Sequence, residues 1–386
     1  MWGANCVFTF LILSGAFERL YLEDYYHYEY VDIYIIYFTI ASILAFSLAH
    51  KLSGDCKVKI RFSEKFLEKI LTTYSWIMWL NFFGGLLRIV LMVQLVGFDN
   101  MMDYRLAANS VMMYGGSGFI GIVFRLTAYV QMFANFYVGL TGFQTGFRKL
   151  EFKSILKIFI LYAPTQLATG GRLFILYFIL FYFGAFLLGR GLSFKNTSKP
   201  LLLKSEIRSL LISFIGLLSL VSIIALARYD DGVQSKESPF AKFTYITEGM
   251  LATEHCMKFY NYDQFTPDYG KYLFTGKSTL MASYTIELQK THMSSIVHCV
   301  MTPLYLGFGF YGSILVWFII AFLVEFISIK CLNKFNIVNF FIFITLLKTF
   351  YESIMSVPIN NLPVFQLIVL LYIFYKPIFG QYSPTK

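Results

Sequence analysis

Charge is what this sequence has least of. Only 14% of its 386 residues are charged, against 57% hydrophobic and 19% aromatic. A chain with that balance and a positive mean hydropathy cannot bury its apolar surface in an ordinary water-soluble domain. The reading that remains is an all-α polytopic membrane protein. Cysteine is also sparse. Cys6, Cys56, Cys256, Cys299 and Cys331 are scattered without a C-x-x-C pair, which excludes a disulfide framework and a zinc site of the usual spacing. No internal repeat, low-complexity tract or glycine-rich nucleotide fingerprint is present, so neither a cofactor nor a metal is expected. The net charge of +10 would suggest nucleic acid in a soluble protein. Here the basic residues concentrate in loops between apolar runs, and no nucleic-acid partner is expected.

What the sequence does have is one long polar interval. It opens at Arg228-Tyr-Asp-Asp-Gly232 after one apolar run and closes at His298 before another. A connection of that length is functional or disordered. Its eleven tyrosines and phenylalanines between Phe240 and Tyr284 argue for order, because disordered segments lack aromatic density. The expected domains are therefore membrane helices over 1–227, a loop domain over 228–298 and membrane helices over 299–386.

A span needs about 20 apolar residues. That yardstick gives ten: 2–17, 31–49, 70–97, 114–140, 155–170, 173–189, 209–227, 299–327, 335–355 and 363–380, the first of them short. The loops 50–69, 141–157 and 190–208 carry six, four and five Lys or Arg. Strict alternation puts these three on one side. By the positive-inside rule that side is cytoplasmic, with both termini, and the 228–298 loop lies on the opposite face.

Arginines outside the cytoplasmic loops then become informative. Arg88 follows Asn81-Phe-Phe-Gly-Gly85 and is expected near the outer end of its span. Arg172 follows Gly170-Gly171 at an outer turn, Arg228 ends a span, and Arg105 lies in the outer loop 98–113. Four guanidinium groups at one leaflet boundary suit a phosphate or diphosphate, which the planar fork of arginine grips in bidentate fashion. Snorkelling to headgroups is the plainer account of any one of them. Gly84 and Gly85 permit close backbone approach, either to a ligand or to a packed helix. Asp230-Asp231 reads as a turn rather than a metal site. In Tyr245 to His255, residues 245, 248, 252 and 255 share one helical face. That register brings a carboxylate, Glu248, toward an imidazole, and Glu254 lies beside it, as acid/base chemistry requires.

His298 precedes Gly309 and Gly312 as H-x10-G-x2-G. This segment resembles the one that follows the large periplasmic loop in O-antigen ligases and polymerases. Ten or more spans, a Gly-Gly-Arg172 at an outer turn, an Asp-Tyr-Arg105 and a late loop that starts with arginine are together similar to Wzy-type O-antigen polymerases, with a GT-C-like fold. The resemblance implies an inner-membrane glycosyltransferase of bacteria. Its substrate would be an undecaprenyl-diphosphate-linked oligosaccharide, and a chain-length regulator protein and membrane lipids would be its partners. It implies Arg88, Arg172 and Arg228, with Arg105 behind them, as diphosphate ligands. His298 would be the base, with Glu254 and Glu248 as reserves. The histidine is shared with the ligase branch, so transfer to lipid A core stays open, as does a polysaccharide flippase.

Overall fold

The computed structural model describes residues 30–54, 64–97, 118–148, 150–168, 177–193, parts of 206–219, 248–260, 266–269, 280, 283–284, 301–334 and 336–352. Every regular element among them is helical. In chain order these are α1 (Val31–Ser53), α2 (Glu64–Thr73), α3 (Trp76–Val96), α4 (Gly118–Phe147), α5 (Phe152–Leu167), a π-helical segment (Ile179–Phe183) running into α6 (Gly184–Ser193), α7 (Glu248–Phe259), α8 (Met301–Asn333) and α9 (Ile337–Glu352).

Four stretches are long and apolar enough to cross a membrane: Val31–Ser53, Glu64–Val96, Gly118–Phe147 and Met301–Asn333. They coincide with the expected spans 31–49, 70–97, 114–140 and 299–327. The helix α1 shows why a bilayer suits them. Its inner face buries Tyr34, Phe38, Ala41 and Ala45, while Ile33, Ile36, Ile40 and Ile43 stand exposed on the other face. A helix apolar all round belongs in lipid or in a large core. Of the other expected spans, 155–170 and 335–355 correspond to α5 and α9, of 16 residues each. The span 173–189 corresponds to the shorter Ile179–Ser193. The spans 2–17 and 363–380 and most of 209–227 lie outside the described residues.

Helix ends follow local chemistry. Asp32 stands in the first turn of α1 and His50 and Lys51 in its last, as the helix dipole favours. Gly54, at φ 71°, closes the helix with its N–H on the His50 carbonyl. The run expected as one span over 70–97 corresponds to the single stretch Glu64–Val96, in which a turn with i to i+3 hydrogen bonds at Tyr74-Ser75 separates α2 from α3. The first of them, α2, is amphipathic. Leu67, Ile70 and Leu71 are buried, and Arg148 bridges Glu64 at 3.0 Å and Glu68 at 3.3 Å on the exposed side.

The chain divides into two compact units, Phe62–Ser235 and Met1–Arg61 with Lys236–Lys386. In the first, α4 meets the π segment and α6 through glycines. A Cβ on Gly142 would run into the Tyr182 carbonyl, one on Gly146 into the Phe186 carbonyl, and one on Gly189 into the Phe143 carbonyl. Arg190, expected in a cytoplasmic loop, is buried and paired with Glu206, which also accepts the Leu150 N–H at 3.2 Å. In the second unit α1 packs along α8. Phe38 stacks on Trp317 at 5.4 Å, and the Trp317 indole donates to Ser42 Oγ at 2.8 Å.

The helix α8 is not straight. Gly309 sits at φ 68°, ψ −172° and breaks it into 301–308 and 310–333. Tyr34 Oη donates to Ser313 Oγ at 2.5 Å and stands 3.5 Å from the Met301 carbonyl oxygen. Those two atoms are therefore within about 6 Å of each other. In an unbroken helix, residues twelve apart are separated by about 18 Å. The chain thus turns back on itself at Gly309, and the expected continuous span 299–327 is a short helix folded against a long one. Residues 301–307 are all buried, and the Leu306 carbonyl accepts the Asp268 N–H at 3.0 Å.

Candidate functional site

The expected site residues fall into the two units, and each unit has its own polar constellation. In Phe62–Ser235 the centre is Arg88. It lies on a stripe of α3 with Asn81 and Gly85, at spacings of four and three residues that share a helix face. Gly85 has no side chain to hold α5 away, and a Cβ there would run into the backbone of Pro164 and Thr165. The neighbouring Asn81 donates to the carbonyls of Leu161 at 3.0 Å and Tyr162 at 3.1 Å. These carbonyls lie in the turn before Pro164, where proline disturbs the helical ladder. Thr165 Oγ1 in return donates to the Asn81 carbonyl at 2.5 Å.

Within this close contact Arg88 is 1% exposed. Its Nε donates to Thr127 Oγ1, one terminal nitrogen to the Phe124 carbonyl at 2.5 Å and the other to the Thr165 carbonyl at 3.5 Å. The guanidinium carbon stands 4.7 Å from the centroid of the Phe124 ring. All three acceptors are neutral, and among the described residues no carboxylate pairs with Arg88. Arg88 lies eight residues before Val96, about 12 Å along the helix, and is enclosed in the contact of α3 with α4 and α5. Gly84 and Gly85 serve that packing, with Gly84 close to Thr127.

In the other unit the centre is α7, inside the expected loop domain. Ala252, Thr253, Glu254, Cys256 and Met257 are buried. The Glu254 carboxylate accepts the backbone N–H groups of Tyr30 at 3.1 Å and Val31 at 2.8 Å through Oε2. Its Oε1 is 3.2 Å from Lys258 Nζ. A negative charge at the N-terminus of α1 satisfies donors that no helix can satisfy itself and complements its dipole. Thr253 and Thr302 exchange a hydrogen bond of 2.8 Å, so α7 grips both the start of α1 and the short arm of α8. Glu248 opens α7.

The other face of α7 is aromatic. His255 and Phe259 have ring planes within 10° and centroids 6.4 Å apart. Tyr260 stands edge-on to Phe259 at 4.9 Å, and Tyr284 lies 5.9 Å from His255 and 6.5 Å from Phe259. Tyr284 Oη donates to the Ala252 carbonyl and Tyr260 Oη to the Leu280 carbonyl. Desolvation by burial, helped by the neighbouring Cys256, pushes the Tyr260 phenol up to about 12, so it stays a neutral donor.

Glu254 thus joins the loop helix to the start of α1, and its neighbour Thr253 joins it to the segment that carries Gly309 and Gly312. Arg105, Arg172, Arg228, Asp230, Asp231 and His298 lie outside the described residues. Sequence reasoning missed Thr127, Thr165 and Asn81 as partners around Arg88. The only signal for them was the helical spacing of Asn81, Gly85 and Arg88. Comparison with protein-family models, with curated proteins and with solved structures gives no match.

Proposed function

We propose that this chain is a membrane glycosyltransferase that polymerises oligosaccharide repeat units carried on undecaprenyl diphosphate at the periplasmic face of a bacterial inner membrane. The observation that carries this reading is the reversal at Gly309. It follows the long polar loop directly, it contains both glycines of the H-x10-G-x2-G segment, and the loop helix α7 is fastened to its short arm. Non-helical backbone inside a membrane protein is tolerated where it is buried in protein or lines a cavity, and polar sites gather at such breaks. Ten spans, a GT-C-like arrangement, cytoplasmic termini and a chain-length regulator as partner belong to the same proposal.

The reaction forms a bond between a hydroxyl oxygen of the incoming repeat unit and the anomeric carbon of the growing glycan. The bond from that carbon to the diphosphate oxygen breaks, and the electron pair leaves with undecaprenyl diphosphate. Arg172 and Arg228, with Arg105 behind them, are assigned to the departing charge, which fixed donors stabilise effectively in a water-poor site. Arg88 is left out of that assignment, since its guanidinium is already held by three acceptors of α4 and α5. The hydroxyl proton goes to His298. Glu254 is committed to the start of α1, which favours the histidine as base and leaves Glu248 in reserve.

The test is direct. Proteoliposomes given lipid-linked repeat units should produce a ladder of longer lipid-linked glycans, and should still do so in EDTA. Arg172→Lys and Arg228→Lys should insert normally and lose most of the ladder, because lysine keeps the charge without the fork. Wild-type ladders from both variants, or no ladder from the parent protein, would sink the proposal.

A further inference from the structure

The exposed stripe of α2 and α3 changes character along its length. It passes from Lys65 and Lys69 to Trp76 and Trp79, which are 52% and 49% exposed, and then to Phe83 and Leu87. The first turns of α5 repeat the change. Lys153 and Lys157 are exposed there together with Leu156 and Ile160, at spacings that share one helix face. We propose that this end of the unit Phe62–Ser235 is a binding rim for an anionic phospholipid, with the phosphate between Lys153 and Lys157 and the acyl chains along Leu156 and Ile160.

Two helices set the boundary at one height. Asn81 of α3 donates to the carbonyls of Leu161 and Tyr162, and Gly85 lies against Pro164 and Thr165, so α3 and α5 run parallel in this register. Trp76 therefore stands at the height of Leu156, each five residues before its contact, and Lys153 lies about one turn further out. The helix α3 has 21 residues. That is about 31 Å, which matches the roughly 30 Å hydrocarbon of a bilayer when Trp76 and Trp79 sit at its edge, where tryptophan collects. The turn at Tyr74-Ser75 places α2 beyond that edge. The Ser75 N–H goes to the Thr72 carbonyl at 3.4 Å, which releases the Leu71 carbonyl, and Tyr137 Oη of α4 donates to it at 2.9 Å.

The lysines call for an anion. Among the described residues no carboxylate pairs with Lys65, Lys153 or Lys157, while Glu64 and Glu68 of α2 are taken up by Arg148. Four residues apart on one helix, Lys153 and Lys157 repel each other, and a phosphate between them turns that repulsion into attraction to both. Their apolar stems lie along acyl chains while the ammonium groups stay among the headgroups. An acidic protein or a nucleic acid would meet the ammonium groups but leave Trp76, Leu156 and Ile160 in water. A phospholipid covers both parts of the stripe, and basic residues beside a span draw anionic lipid in this way.

The experiment is native mass spectrometry of the full-length protein released from nanodiscs that hold phosphatidylglycerol and phosphatidylcholine in equal amounts. The wild type should keep phosphatidylglycerol bound several-fold more often than phosphatidylcholine. The double variant Lys153→Gln with Lys157→Gln should retain one phosphatidylglycerol fewer at unchanged Tm, and the pair Lys153→Arg with Lys157→Arg should retain it. The boundary is read separately, as the fluorescence lost in Trp76→Phe with Trp79→Phe. That share of the emission should be quenched more strongly by lipid brominated near the headgroup than by lipid brominated near the chain ends. Equal retention of the two lipids by the wild type, or unchanged phosphatidylglycerol in the glutamine variant, overturns the rim, and so does stronger quenching from the chain ends.

Discussion

Tyr34 of α1 and Ser313 of α8 are joined by a buried hydrogen bond of 2.5 Å, and Ser313 Oγ in turn donates to the Phe310 carbonyl at 2.6 Å. The relay anchors the first turn of the long arm of α8 just beyond the reversal. Because Tyr34 also stands against Met301, a single side chain gathers both ends of the fold-back.

Spin labels on cysteines at positions 301 and 313 should therefore report a separation well under the roughly 18 Å of a straight helix. Gly309→Ala should lengthen it. The new Cβ has open space around it, but a backbone at φ 68°, ψ −172° is essentially a glycine conformation that costs an L-residue about 1–3 kcal/mol, which alanine escapes by continuing the helix. An unchanged separation in Gly309→Ala would mean that Tyr34 alone enforces the turn.

Arg88→Lys should lower the stability of the purified protein by about 1–3 kcal/mol, the cost of leaving a buried polar group unsatisfied, read as a lower Tm in detergent. Lysine presents one ammonium where Thr127, Phe124 and Thr165 await a fork. Thr127→Val should act in the same direction and, combined with Arg88→Lys, should add less than its separate effect, because neighbours in one network are not additive.

Gly142→Ala places a methyl group against the Tyr182 carbonyl, a backbone atom that cannot rotate away. Overpacking of that kind costs about 1–3 kcal/mol. Gly184→Ala is the control, since nothing stands within 4 Å of its Cβ, and it should leave Tm unchanged.

Glu254→Ala should cost about 0.5–2 kcal/mol, as loss of a helix cap does, while Glu254→Gln keeps one acceptor oxygen and should cost less. If the carboxylate only docks α7, Glu254→Gln should retain turnover within a few-fold, and His298→Gln should lose about 10²-fold or more, the scale of a missing general base. A dead Glu254→Gln of normal stability would move the base into α7.

The membrane helices were legible because hydropathy is a local property, and α1, α3, α4 and α8 are each apolar on average over the length of a span with at most two charged residues. What happens inside a run was not. The spacing of Arg88 along its helix was legible, but its enclosure by Thr127, Phe124 and Thr165 was not, because those acceptors belong to helices distant in the sequence. Gly309 was legible as part of a motif but not as a reversal, because its consequence depends on Tyr34, far away in the sequence. Glu254 was singled out as a carboxylate in a polar loop. Its partner is the N-terminus of a helix 223 residues away, and backbone donors leave no trace in a residue pattern. The glycines beside Arg88 were open to both a ligand and a packed helix, and the proximity of Pro164 and Thr165 decides for packing.

The unit built from α1, α7, α8 and α9 is discontinuous along the chain, and this sets a clock on its assembly. At about 5–20 residues per second of synthesis, α1 emerges roughly 15–50 s before the segment that carries Met301 and Trp317. Throughout that interval Tyr34 sits on α1 without Ser313, and Ser42, which donates to the Phe38 carbonyl within α1 at 2.8 Å, awaits the Trp317 indole, while the whole of Phe62–Ser235 is translated in between. Long-range pairing of this kind is the slow class of folding event. Production of this protein should accordingly be more sensitive to translation rate than its apolar composition alone would imply.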